Sequence, residues 1–99
     1  MSEVFRTSRA GADLVEIWLY VAEYSLDAAD RLLAALEEKC RLLAASPEIG
    51  EARDDLGSGV RCFTHGNYVI FYKVIVGGIQ LIRVLSGARN IDALFGLDP

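Results

Sequence analysis

Apolar positions along this chain recur every three to four residues in its first half and gather into β-branched and aromatic runs in its second half, so helices are predicted first and strands afterwards. A short opening strand is predicted over Glu3–Thr7, where Val4, Phe5 and Thr7 supply β-formers and Ser8 is a candidate helix cap. From Ser8 to Tyr24, the residues Leu14, Ile17, Trp18, Val21 and Ala22 fall on one stripe of an amphipathic helix, with Asp13 and Glu16 off it. The segment Tyr24-Ser25-Leu26-Asp27 breaks the pattern, and either Ser25 or Asp27 can cap the next helix. That helix is predicted from Ala28 to Ala45, with Leu32, Leu33, Leu36, Cys40 and Leu43 inward; Pro47 ends it, because the ring forces Ser46 out of the helical region.

Residues 47–59 read as a polar surface loop. Three β-rich runs follow, Val60–Thr64, Tyr68–Val76 and Ile79–Ser86, separated by Gly66-Asn67 and Gly77-Gly78, and predict a three-stranded antiparallel meander. A two-residue Gly77-Gly78 turn sets Val76 opposite Ile79, Val74 opposite Leu81, Tyr72 opposite Arg83 and Ile70 opposite Leu85. With Gly66-Asn67 as the other turn, Arg61 faces Tyr72, so Arg61, Tyr72 and Arg83 form one row while Lys73 shares the other face with Phe71, Val84 and Ile82. A short final helix over Asn90–Phe95, capped by Asn90, completes the expectation.

Size and charge narrow this picture. A chain of 99 residues forms one modest core, so residues 1–99 are taken as a single domain. Apolar residues make up 53% of it and mean hydropathy is +0.29, which fits either a tightly packed monomer or a domain that reserves apolar surface for a partner. Ten Lys and Arg against fourteen Asp and Glu leave a formal charge of −4, which disfavours direct nucleic-acid binding. Cys40 and Cys62 lack metal-ligand spacing and are expected as buried thiols, and a lone His65 as a solvated turn residue, so neither metal nor cofactor is expected. With no run of about 18 uncharged apolar residues and no basic-plus-apolar leader, a soluble cytoplasmic protein without membrane contact is expected.

Arg61 and Arg83 stand inside otherwise apolar strands, where a guanidinium is internally paired, stacked on an aromatic such as Tyr72, or exposed as part of a binding patch. On the first helix, Trp18 and Tyr20 lie about 200° apart round the axis and cannot both point inward.

The order strand, helix hairpin, meander, with "GVRCFTHGNYVIFYKV" followed by "LIRVLSGARN", resembles the RelE/ParE toxin superfamily. "RAGADLVEIWLYVAE", "SPEIGEARDDLGSGVRCF", "YVIFYKV" and "IRVLSGAR" look like the ParE branch, and the resemblance covers nearly the whole chain. It implies a RelE-like α+β fold and a toxin of a type II toxin-antitoxin system. Such a toxin poisons DNA gyrase or the related topoisomerase by protein binding and is silenced by a ParD-like antitoxin in a hetero-oligomer.

The RelE branch instead cleaves messenger RNA on the ribosome. Its lysine positions fall on Val60 and Cys62, its strand arginine on Val69 and its C-terminal tyrosine on Phe95, leaving Arg89 alone with matching chemistry. Valine and cysteine hold no cation beside a phosphate and phenylalanine moves no proton, so no catalytic residue is assigned. Ser86 stands where ParE relatives often carry histidine. The target-contact candidates are Arg61, Tyr72, Arg83 and Arg89. The antitoxin-contact candidates are Leu14, Trp18, Tyr20, Val21 and Tyr24, which a disordered acidic or amphipathic tail would cover.

Overall fold

A computed structural model of the chain describes residues 2–87, and the expected helix at 90–95, together with Arg89, lies outside them. Strand β1 (Glu3–Arg6) leads into helix α1 (Ser8–Ala22), which turns back as α2 (Leu26–Ala45). Two short 3-10 turns, Pro47–Ile49 and Asp54–Leu56, flank β2 (Glu51–Ala52), and β3 (Arg61–His65), β4 (Tyr68–Ile75) and β5 (Gly78–Ser86) form the meander. The α+β architecture is as expected.

The caps explain the helix boundaries. Thr7, rather than Ser8, caps α1: its hydroxyl accepts from the Ala10 amide at 3.1 Å and itself donates to the Ile82 carbonyl at 3.0 Å. One threonine thus fixes both the helix start and its seat on β5. Ser25 caps α2 through the Ala28 amide, which sets the start at Leu26, two residues earlier than the apolar period indicated.

The strands form one sheet in the order β1-β5-β4-β3-β2. β1 runs parallel to β5, from Glu3 beside Gly78 to Arg6 beside Leu81, so the sheet is mixed, not purely antiparallel. The two-residue β2, opposite Cys62 and Arg61, has no sequence pattern of its own and was expected as loop. Gly78 fits because a Cβ there would collide with the Glu3 backbone.

The β4–β5 register differs from the expected one. Ile75 pairs with Gly78 and Tyr72 with Leu81, and the register then shifts, so that Phe71 pairs with Arg83 and Val69 with Leu85. The turn residues are therefore Val76-Gly77, and Ile82 is the extra residue of a bulge. The Arg61–Tyr72 pairing stands, but Arg83 leaves the row and Val84 moves to the face opposite Phe71.

Both faces of the sheet are covered. Leu14, Leu36, Cys40 and Leu43 of the helices bury Ile70, Tyr72, Ile79, Leu81 and Val84. On the opposite face Leu56 and Val60 pack with Cys62, Phe71 and Leu85. The loop over this second core is held by the Gly59 amide on the Asp54 carboxylate and by a two-pronged Arg53–Asp55 pair at 2.9 Å. That pair raises the Arg53 pKa and lowers that of Asp55.

Candidate functional site

Helix α1 lies against β5, and its side chains decide what the exposed end of the sheet offers. Beyond Leu81 the partner β1 has ended, leaving the last part of β5 as an edge. Asp13 closes it: one carboxylate oxygen accepts from Arg83 Nε at 2.8 Å and from the Val84 amide at 3.0 Å, and the other from Arg83 Nη2 at 3.0 Å. Both side chains are buried, and the pairing pushes the Arg83 pKa further up. The internally paired alternative for Arg83 is the one adopted, so Arg83 is not an open contact residue.

Tyr72 is likewise no surface residue. It is fully buried, its hydroxyl donates to the Pro47 carbonyl at 2.6 Å, and burial pushes its pKa up. Arg61 is half-buried: Nη2 donates to the carbonyls of Glu48 and Gly50, while Nε is enclosed without a hydrogen-bond partner. It ties the loop to β3, with part of its surface still open. Arg89 is among the residues not described.

The expected antitoxin contacts separate by depth. Leu14 is core, which removes it from any surface, and Val21 and Trp18 are half-buried. Trp18 points its indole N–H at Asp30 of α2 at 2.9 Å, pinning the hairpin. Tyr20 is 62% and Tyr24 77% exposed, with their rings edge to face at 5.8 Å, so of Trp18 and Tyr20 it is the tyrosine that faces out. Three residues missed by stripe reasoning join them: Val15, Leu19 and Leu26 are all more than half exposed. Their signal was available, since each is an apolar residue off the core stripe.

Beside Tyr20 opens a cleft of about 300 Å³ between α1 and the ends of β4 and β5. Ile17 and Tyr20 form one wall, Tyr68 and Val84 the other, and Asp13 and Glu16 line it with carboxylates. The cleft thus combines apolar walls with carboxylates. Among the described residues there is no group of His, Cys, Asp and Glu able to hold a metal, and no helix is long and apolar enough to cross a membrane. Cys40 and Cys62 are free and buried as expected, and burial pushes the Cys40 thiol up to about 11 and that of Cys62 up as well. His65 ends β3 opposite Tyr68, half-buried rather than at the tip of the turn.

A family model described as the ParE toxin of the type II toxin-antitoxin system, parDE, matches residues 4–91, from within β1 to beyond the end of β5. The chain belongs to the ParE toxin family. Toxin ParE1 of Caulobacter vibrioides is 36% identical over 93 residues, covering 89% of this chain and 92% of the relative. Toxin ParE1 of Mycobacterium tuberculosis is 34% identical over 85 residues, covering 84% and 87%. A solved structure described as a chromosomal ParDE TA system from P. aeruginosa superposes with a TM-score of 0.71 at 25% identity, over 87% of this chain and 96% of that one. The fold is therefore shared over most of the chain. Within it, Val60 and Cys62, the positions equated above with RelE-branch lysines, are 2% and 9% exposed parts of the second core.

Proposed function

We propose that this ParE-family chain arrests growth by binding DNA gyrase or the related topoisomerase in the cytoplasm, without catalysis, and that a ParD-like antitoxin neutralises it in a hetero-oligomer. The observation that carries the reading is the match to the ParE toxin model over residues 4–91. Its mode of action is supported by what occupies the face where a phosphodiester would have to be handled. Val60 and Cys62 are packed against Leu56 and Phe71, and burial keeps the Cys62 thiol protonated. A net charge of −4 offers ribosomal RNA no attraction.

Of the four target-contact candidates, Arg61 and Arg89 remain proposed, since Arg83 and Tyr72 are internal. The exposed hairpin surface around Tyr20 and Tyr24 is the proposed seat of the antitoxin. The test is gyrase supercoiling with purified protein: the reading expects dose-dependent loss of supercoiled product and its recovery on adding the antitoxin. Undiminished supercoiling, with cell growth equally unaffected by expression of the chain alone, contradicts it.

A further inference from the structure

Strand β1 is an outer strand of the sheet, with β5 on one side of it only. The Glu3 amide donates to the Gly77 carbonyl at 2.8 Å and the Thr7 amide to the Leu81 carbonyl at 3.1 Å, so Glu3, Phe5 and Thr7 turn their backbone groups toward β5. Strand alternation sends the N–H and C=O groups of Val4 and Arg6 the other way, to an edge that no described strand occupies. Beside that edge lies a cleft of about 170 Å³ between β1 and α2, lined by Val4, Arg6 and Leu81 on the sheet side and by Glu37, Cys40 and Arg41 on the helix side. Arg6 and Arg41 are exposed, and among the described residues neither side chain has an ion-pair or hydrogen-bond partner. On the other face of the same strand Phe5 is 44% exposed.

Backbone and charge together decide what fits there. An open strand edge is completed by another extended backbone, which takes up its alternating donors and acceptors. A nucleic acid has no such row to offer, and Glu37 opposes its phosphates at the cleft. A second copy pairing edge to edge would bring its own Arg6 and Arg41 to the same seam, so like charge works against self-pairing. A foreign strand carrying an acid meets no such opposition. Placed opposite Arg6, the carboxylate projects on the same face as Arg6, where Arg41 lines the same cleft. The next residue of that strand then falls on the Phe5 face and the one after it beside Val4, and both positions favour an apolar side chain.

We infer that the free edge of β1 accepts an extended acidic segment of a partner protein as an added strand, its carboxylate held by Arg6 and Arg41 and its apolar residues covering Phe5 and Val4. This edge lies apart from Tyr20 and Tyr24 on the hairpin and from Arg61 on β3, so the function proposed above stands or falls without it.

Three short extended peptides serve as probes for the full chain. One has glutamate for the position opposite Arg6 and valines for those opposite Phe5 and Val4. The second replaces glutamate by lysine, and the third is the glutamate peptide N-methylated at the amides that would bond β1. The glutamate peptide should bind about tenfold more tightly than either of the others at low salt, with its advantage over the lysine form shrinking as salt rises. It should also slow hydrogen exchange at the Val4 and Arg6 amides. Arg6→Glu/Arg41→Glu should reverse the preference between glutamate and lysine forms. Val4→Pro should abolish binding of the glutamate peptide, since it removes an outward donor that the fold does not use, at an edge position that tolerates proline. Where either variant fails to fold, the salt dependence and amide exchange of the unsubstituted chain give the same decision.

Equal binding of the glutamate and lysine peptides overturns the inference, as does equal binding of the N-methylated form. Protection of the Val4 and Arg6 amides that grows with the concentration of the chain alone assigns the edge to a second copy and overturns it. Displacement of the glutamate peptide by a single-stranded oligonucleotide overturns it as well.

Discussion

At the scale of single residues, the Asp13–Arg83 pair carries the most consequence. Removing one member of a buried, hydrogen-bonded ion pair strands the other charge, which costs about 3 to 5 kcal/mol. Arg83→Ala is therefore expected to lower unfolding free energy by about that amount in urea titration. The paired change Asp13→Leu/Arg83→Met should cost clearly less than the sum of the two single changes. Loss of activity in Arg83→Ala alone would then report a loosened β5 edge, not a lost contact. Asp13 could not be recognised as buried from sequence, since the helical period places it off the core stripe and its partner lies 70 residues away. The one legible sign was that a strand arginine needed a counter-charge.

Tyr72 and Gly50 make a second residue-scale test. A Cβ on Gly50 would overlap the Tyr72 hydroxyl, so Gly50→Ala must displace a fully buried ring from its Pro47 partner. Tyr72→Phe removes only that hydrogen bond, at about 1 kcal/mol. Gly50→Ala should be the more damaging of the two by thermal melting. For Cys40 burial lifts the folded pKa to about 11, above the ordinary thiol value of 9.0, so the protonated thiol favours the folded state. That contribution is whole below pH 9 and is lost as pH rises toward 11. Buried and held protonated at pH 8, the Cys40 thiol should be alkylated slowly by iodoacetamide until the chain is unfolded.

At the scale of elements, most of what was legible followed from residue patterning, and the register of one hairpin, β4–β5, was not. The hairpin of helices and the three β-rich runs came from patterns several residues long, whereas the Arg61–Tyr72 pairing came from the Gly66-Asn67 turn, which is kept. The β4–β5 register rested on one Gly-Gly pair, which permits more than one two-residue turn, and the bulge at Ile82 leaves no mark in the apolar pattern. Those two details redirected Arg83 and Val84. Helix ends were equally sensitive to single side chains, because Thr7 and Ser8 are both plausible caps. Thr7→Ala should cost about 1 kcal/mol through the cap, and more through the lost Ile82 contact, whereas Ser8→Ala should be nearly silent in the same denaturation experiment.

At the scale of the molecule, the apolar content divides between a sheet packed on both faces and the outer surface of the helix hairpin. The sheet is buried on two faces, which accounts for the Val, Ile, Phe and Tyr runs in β3 to β5. The helix hairpin, by contrast, leaves Val15, Leu19, Tyr20, Tyr24 and Leu26 outside. Growth arrest by gripping another protein is consistent with that division, because the second core fills the sheet face that a nuclease would keep open and basic. The direct measurement is messenger RNA on programmed ribosomes, read by primer extension at a toxin concentration that abolishes gyrase supercoiling. The account predicts full-length message, and cleavage at the ribosomal A site under those conditions would contradict it.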